Sequence, residues 1–151
     1  MRTKLLPLIA VAALTVLLAA CGSDATPSAS SADQSTKATV DFSTVDFTDM
    51  TGKSSVTIEA VDNNFVPQYV TISPGTTVTF VNKGRNKHDI APVVADDFME
   101  IPSDAFAPGT STVVHLGTKT TFDTPGDFPY YCTLHGTTSK GIVGGIRVAA
   151  K

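Results

Sequence analysis

Apolar residues between about residues 54 and 148 recur mostly at every second position, in short runs separated by turn residues. Val56, Ile58 and Ala60 alternate with polar residues, and Pro-Gly pairs such as Pro74-Gly75 separate the runs. Period-two alternation with turns about every 8–12 residues is typical of β-strands in a sandwich or small barrel. No segment of this region shows sustained helical periodicity. The pattern therefore predicts an all-β domain of seven or eight short strands.

The N-terminus follows a different pattern. Arg2 and Lys4 precede the uncharged apolar run Leu5–Ala20. A basic start followed by an apolar stretch of this length is typical of a secretory signal peptide, and the run is shorter than the ~20 residues of a stable transmembrane helix. We therefore expect residues 1–20 to be a signal peptide and the protein to be exported.

The end of the apolar run contains a possible modification site. It reads Leu18-Ala19-Ala20-Cys21, followed by Gly22-Ser23. This motif resembles the lipobox of bacterial lipoproteins, and the resemblance implies lipidation of Cys21. An ordinary signal peptide with a chance cysteine is the alternative. Two or more acyl chains anchor a protein stably, so the expected location is the extracytoplasmic face of the bacterial cell membrane.

The next segment separates this anchor from the folded domain. Residues 21–53 are predicted to be a lipidated N-terminus and flexible linker, and residues 54–151 the domain. Ser23 to Thr39 is almost entirely small or polar, a composition that buries too little apolar surface to offset chain entropy. Phe42 and Phe47 interrupt it, and they either dock on the domain or form a first edge strand.

Composition excludes several functions. The chain carries 11 basic and 14 acidic residues, a formal net charge of −3, and has no basic patch to neutralise phosphates. We therefore expect no nucleic-acid partner. With Cys21 lipidated, Cys132 is the remaining thiol of the chain, and a free thiol in an oxidising compartment is a liability unless it is buried or bound. No nucleophile–base pair, phosphate loop or paired-carboxylate cleft is apparent in the sequence, so no catalytic residues are assigned.

The candidate chemistry lies in Cys132-Thr133-Leu134-His135, just before the last predicted strand. This spacing lets one thiolate and one imidazole face a common point. A second imidazole must come from elsewhere, and His88, at the start of an apolar run, is the candidate. His115, inside a predicted strand, is interpreted as a structural or surface residue. Two imidazoles and one thiolate, with a weak or absent axial donor, are the ligand set of blue-copper sites.

The sequence resembles the cupredoxin family, of the plastocyanin and amicyanin type, over about residues 54–150. The resemblance implies an eight-stranded Greek-key β-sandwich with one copper ion at one end. It implies that His88, Cys132 and His135 are the equatorial ligands and that the protein carries single electrons between redox partners as Cu(I)/Cu(II). Four segments carry the resemblance, and the last is the most specific: Asn64–Pro67, Ile72–Asn82, Lys87–Ile90 and Pro125–His135.

The axial position departs from the family pattern. Relatives carry a Met a few residues after the second His, in Gly-Met-Val-Gly, where this chain has Gly141-Ile142-Val143-Gly144. Ile142 therefore fills the Met position as a non-coordinating residue, with Lys140 as the alternative register. Met99, or a backbone carbonyl beside His88, is the alternative donor. Loss of a donor disfavours Cu(II) and should raise the reduction potential; decay to a non-blue site is the other interpretation.

Acidic residues raise two further hypotheses. Asp89 directly follows the first imidazole, where relatives often have Asn, and its backbone or side chain is predicted to hydrogen-bond near the cysteine sulfur. A plain loop aspartate is the alternative. Asp96, Asp97 and Glu100 are interpreted as a solvated loop, with docking of a basic partner as the alternative.

Two functions are consistent with these observations. The first is an exported, membrane-tethered blue copper protein that works as a monomer with unidentified redox protein partners. The second is a copper-binding, delivery or buffering protein of the cell envelope, in which the missing axial donor reflects ligand exchange. Multicopper oxidases and nitrite reductases need more histidines than the three in this chain, so we expect no enzyme activity. Retention of all three equatorial ligand types disfavours a metal-free interaction domain.

Overall fold

The structure is a computed structural model that describes residues 39–150. Within this range it contains ten β-strands and no helix, which confirms the predicted all-β class. The strands are β1 (Thr48–Asp49), β2 (Ser55–Val61), β3 (Asn64–Val66), β4 (Tyr69–Ile72), β5 (Thr76–Asn82), β6 (Ala91–Pro92), β7 (Ser111–Val113), β8 (Thr121–Phe122), β9 (Gly126–Gly136) and β10 (Gly141–Val148).

The predicted signal peptide, Cys21 and most of the predicted linker lie outside the described residues. Among the residues that are described, no helix has the length and apolar character needed to cross a membrane.

The strands form two mixed sheets that pack as a sandwich. One sheet has the order β1-β4-β10-β9-β6, and the other has the order β3-β2-β5-β7, with β8 also paired to β5. β4 is parallel to β10, and β2 is parallel to β5. Parallel neighbours cannot be joined by a tight hairpin, so the chain crosses between the sheets. The predicted β-sandwich is confirmed, with ten strands instead of about eight; β1, β6 and β8 have two residues each.

The core between the sheets follows from the alternation along the strands. Every second residue of β5 is buried, and Phe80 is fully buried. Tyr130 of β9 packs against Phe65 and Phe80 of the opposite sheet, with ring centroids 5.0 and 5.1 Å apart. Tyr130 is 1% exposed whereas the adjacent Tyr131 is partly exposed, as alternation requires. This aromatic contact anchors β9, and with it the first sheet, to the opposite sheet.

Residues 42–49, which precede the alternating pattern, pack on the sandwich. β1 pairs in parallel with β4, and the ring of Phe42 packs directly on Gly145 of β10. Phe42, Phe47 and Tyr69 form a cluster with ring centroids 5.2 to 5.9 Å apart. Aromatic contacts, rather than alternation, hold this segment on the sandwich.

Truncation of Phe42 should loosen this segment. Phe42→Ala removes the buried ring and leaves the Arg147 guanidinium, 4.2 Å from the Phe47 centroid, with one aromatic neighbour instead of two. We expect the free energy of unfolding to fall by about 2 kcal/mol, less than the ~3–5 kcal/mol of a central phenylalanine, because a terminal segment can readjust. Urea denaturation measures this. Asp46→Ala, at an exposed position of the same segment, should change the value by less than ~0.5 kcal/mol, and equal losses in both variants would contradict the prediction.

Candidate metal centre

Three side chains that the sequence singles out meet at one end of β9. Cys132 Sγ lies 3.6 Å from Nδ1 of His88 and 3.3 Å from Nδ1 of His135. The candidate ligand atoms of all three residues lie within 4.8 Å of one another. His88 and Cys132 are fully buried, whereas His135 is exposed. The structure therefore brings together the predicted set and leaves one imidazole at the surface.

The pairing of β9 with β10 is interrupted at this point. Val143 lies opposite Tyr131, and Gly141 lies opposite Gly136. Between these pairs a longer stretch of β9 bulges opposite a single residue of β10, Ile142. In a regular strand, residues three apart point to opposite faces, so a cysteine and a histidine at this spacing could not share a ligand. The bulge releases them from that alternation.

Gly141 allows β10 to pair with β9 directly after the bulge. Its φ is +86°, a conformation that side chains rarely adopt. A Cβ at this position would also collide with the carbonyl oxygen of His135. Glycine is therefore required where β10 begins, directly beside the His135 backbone.

The loop after β5 delivers His88 and is organised from within by Asn82, which is fully buried. The Asn82 side-chain amide donates to the carbonyl oxygens of Asn86 and Phe106, each at 2.9 Å. Its Oδ1 accepts the backbone N–H of Gly84, also at 2.9 Å. Asn82 thus satisfies backbone groups that the turn would otherwise bury unpaired, and it fixes the path of the chain into His88.

Asp89 ties the two ligand-bearing segments together. It is 4% exposed, and its carboxylate accepts the backbone N–H of Thr133 at 2.6 Å and the Thr133 hydroxyl through a very short hydrogen bond. The backbone N–H groups of Asp89 and Leu134 donate hydrogen bonds to the Cys132 sulfur. The backbone of Asp89 thus contacts the cysteine sulfur, and its carboxylate binds the neighbouring Thr133.

Burial sets the protonation of the metal-free site. It lowers the pKa of His88, as does nearby His135 to a smaller extent, while the carboxylates of Asp62 and Asp89 act in the opposite direction. Burial also raises the pKa of the Cys132 thiol. The imidazole and the thiol are therefore both uncharged near neutral pH, and metal binding must displace the thiol proton.

The side chains considered for the axial position lie in different surroundings. Ile142 is 3% exposed and belongs to the same buried cluster as Cys132. Lys140, the alternative register, is exposed. Met99 is 56% exposed and lines a surface groove beside Tyr131. Ile142 is thus the residue of β10 that faces the interior at the level of the bulge, and neither Lys140 nor Met99 is placed there.

Other singled-out residues lie outside the site. His115 is exposed, and its carbonyl oxygen accepts the backbone N–H of Met99. Asp96 and Glu100 are exposed, and burial raises the pKa of Asp97. Among residues 39–150, His88, Cys132 and His135 form the one cluster of His, Cys, Asp or Glu side chains with the geometry to hold a metal ion.

Comparison with known proteins identifies the family. Residues 52–149 match the copper binding proteins of the plastocyanin/azurin family. The chain belongs to this family. A plastocyanin from Scenedesmus fuscus is 38% identical over 85 residues, a match that covers 52% of this chain and 83% of that plastocyanin. The predicted membership of the cupredoxin family is therefore confirmed.

Solved structures agree with this assignment. A reduced variant of amicyanin superposes with a TM-score of 0.51 at 16% identity, covering 64% of this chain and 84% of amicyanin, and it supports the cupredoxin fold alone. The Cu-containing nitrite reductase from Thermus scotoductus SA-01 superposes with a TM-score of 0.50 at 26% identity. That match covers 64% of this cupredoxin chain, which spans 23% of the nitrite reductase.

The residues present fit a copper ion. Two imidazole nitrogens and a thiolate suit copper in both of its common oxidation states. The His88 ring turns Nδ1 towards the Cys132 sulfur, and its Nε2 is buried without a hydrogen-bond partner among the described residues. The ring thus presents Nδ1 to the sulfur, which is the orientation that shared binding of one metal ion by the two side chains requires. The predicted copper cofactor is confirmed by the family together with this donor set.

Proposed function

We propose that this cupredoxin is an exported blue copper protein that carries single electrons between redox proteins and catalyses no reaction itself. The observation that carries the proposal is the unequal exposure of the three ligand-type residues. His88 and Cys132 are fully buried, and His135 is exposed. Bound copper supplies the one-electron Cu(I)/Cu(II) couple. The buried pair excludes water, and the His135 ring connects the site to the surface, where electrons enter and leave.

The surface around His135 suits brief docking. Leu134 is 53% exposed next to it, and Thr133 is exposed on the other side of Leu134. An apolar residue beside the exposed imidazole lets a partner exclude water at the point of transfer without a large charged interface. A small contact of this type is typical of short-lived redox complexes.

The surroundings of the ligands resist rearrangement. Asn82 holds the loop that carries His88, and Asp89 holds Thr133 next to Cys132. These hydrogen bonds are buried or partly buried, and a well-packed interior transmits strain instead of yielding to it. The chain therefore imposes nearly one geometry on both oxidation states, which favours fast electron exchange.

The proposed location of the protein at the cell membrane is based on the lipobox-like motif that ends at Cys21. Lipid on Cys21 would hold the domain at the outer face of the bacterial cell membrane, and the polar segment that follows would act as a linker. Such a linker lets one monomeric domain reach different redox proteins at the same membrane.

A second candidate is delivery or buffering of copper in the cell envelope. The apolar Ile142 beside Cys132 and the exposure of His135 favour it, because a copper site that lacks a fourth donor and has an accessible ligand would release its ion more easily. The complete burial of the other two ligand-type side chains opposes it.

Electron self-exchange separates the two candidates. The chain from residue 21, carrying Cys21→Ser, is mixed as Cu(I) and Cu(II) forms, and the exchange rate is measured from NMR line widths. We expect fast exchange while a Cu(I) chelator removes no copper on the same time scale. Transfer of copper to the chelator as fast as the electron exchange would contradict electron carriage and support delivery.

A charge beside His135 tests the proposed route. Leu134→Lys should slow self-exchange, because two molecules must then bring like charges together. Val66→Lys is the matched control: Val66 is 47% exposed and lies on β3 of the opposite sheet. Equal rates in the two variants would show that electrons do not leave beside Leu134.

A further inference from the structure

Asp62 holds the His88 loop from outside. It lies in the two-residue turn between β2 and β3, and its side chain is 22% exposed. Its carboxylate accepts the backbone N–H of Arg85 at 2.6 Å and that of Asn86 at 3.3 Å. The carboxylate also forms an ion pair, at 2.9 Å, with the guanidinium of Arg85, whose side chain is 92% exposed. One carboxylate thus organises the loop residues that precede His88.

The same carboxylate approaches the far side of the His88 ring. A Cβ built on Gly84 would lie 2.8 Å from Asp62 Oδ1 and 3.0 Å from His88 Nε2. Both atoms therefore border the space that a side chain at residue 84 would occupy, and glycine leaves that space open. Nε2 is buried and has no hydrogen-bond partner among the described residues. Nδ1 is turned towards Cys132, so a metal bound through Nδ1 would leave the proton of the neutral ring on Nε2, on the side of this carboxylate.

We propose that Asp62 is a positioning residue for His88, fixing the loop that carries the ring and supplying the negative charge behind its Nε2–H. The inference rests on the proposed function. A carboxylate behind a metal-bound imidazole orients the ring and makes it a better donor. It therefore stabilises Cu(II) over Cu(I) and lowers the reduction potential, which offsets part of the increase expected from Ile142. Gly84 is part of the arrangement because a side chain there would crowd both groups.

Neutralising the carboxylate tests the charge without removing the acceptor. Asp62→Asn keeps an oxygen for the backbone N–H groups of the loop. At a fixed solution potential we expect the Cu(I) to Cu(II) ratio to rise about threefold, which corresponds to about 30 mV for a one-electron couple. Asp127→Asn is the matched control, because Asp127 pairs with Arg147 at 2.7 Å at the opposite end of β9 and should leave the ratio unchanged.

Two further measurements keep the test independent of copper loading and of the folding of one variant. In metal-free protein, the solvent exchange of the His88 Nε2–H, followed by NMR, should be at least threefold faster in Asp62→Asn than in Asp127→Asn. Arg85→Gln removes the cation that neutralises Asp62 while keeping the backbone donors. It should shift the ratio towards Cu(II), by less than twofold because the guanidinium is exposed and screened.

The outcomes separate this inference from the proposed function. A blue protein in which Asp62→Asn matches Asp127→Asn in both ratio and exchange rate would overturn the role of Asp62 and leave electron carriage intact. A protein that binds no copper would overturn the proposed function, while the exchange rate in the metal-free protein would still decide whether Asp62 acts on His88. A rise in the ratio for Arg85→Gln would contradict the sign of the proposed charge effect.

Discussion

Replacement of Cys132 by serine is expected to abolish the strong red absorption of the Cu(II)-loaded protein. That band arises from charge transfer between a thiolate and copper, and a serine hydroxyl is not ionised at neutral pH and is a poor ligand for soft metal ions. Cys132 is fully buried between the two imidazoles, and serine is close to it in size. The loss should therefore be essentially complete without loss of the fold. Visible absorption measures the band, and circular dichroism checks the β-structure.

The second cysteine of the chain provides the control. Cys21→Ser removes the predicted lipidation site and should leave the band unchanged, because the described domain holds its candidate ligands without it. A band that survives in Cys132→Ser would contradict assignment of the sulfur ligand. A pale wild-type protein that still binds copper would contradict the blue type of site and favour a role in copper handling.

Substitution of Ile142 by methionine should lower the reduction potential substantially. Ile142 is 3% exposed and lies in the buried cluster with Cys132, opposite the β-bulge that carries Cys132 and His135. A thioether at this level offers a weak axial donor, which stabilises Cu(II) more than Cu(I). We expect at least a tenfold shift of the oxidation-state equilibrium, about 60 mV or more for one electron. Voltammetry of the loaded protein measures the shift.

Size must be separated from donor chemistry in this test. Ile142→Leu changes the shape of the side chain but adds no donor, and both replacements conserve volume well enough to cost less than ~1.5 kcal/mol. The leucine variant should keep a potential near that of the wild type. Equal potentials in the methionine and leucine variants would show that residue 142 does not face the copper ion.

Local patterns made the strands and the ligand set predictable. The alternation in β5 and the Pro-Gly turns follow from chemistry within a few residues, and the structure places strands there. Cys132 and His135 are close in sequence, so one bulge brings them together. His88 lies 44 residues from the cysteine, and it could be selected because the chain has few histidines and because the surrounding segment resembles the family.

Other features depend on contacts that no local pattern reveals. The register that puts Ile142 inside and Lys140 outside depends on how β10 pairs with a bulged β9. Asp62 sits in an ordinary turn, and its contact with Arg85 spans 23 residues. Phe42 is visibly apolar, but the small residue that receives its ring, Gly145, is distant in the chain. Asp62 becomes a candidate only once the fold is known, because an acidic residue near a ligand histidine can then be recognised as a partner for the second ring nitrogen.

Strands β9 and β10 pair on both sides of the bulge, at Tyr131–Val143 and at Gly136–Gly141. The segment between these pairs, which carries Cys132 and His135, can therefore vary independently of the rest of the sheet. These two pairs fix the register of β9 against β10. Residues between them can therefore be added or removed without a change in that register. The entropy cost of a few extra loop residues grows slowly with length. Loop exchange within this fold could therefore retune the metal geometry while the sandwich, its core and the first imidazole stay constant.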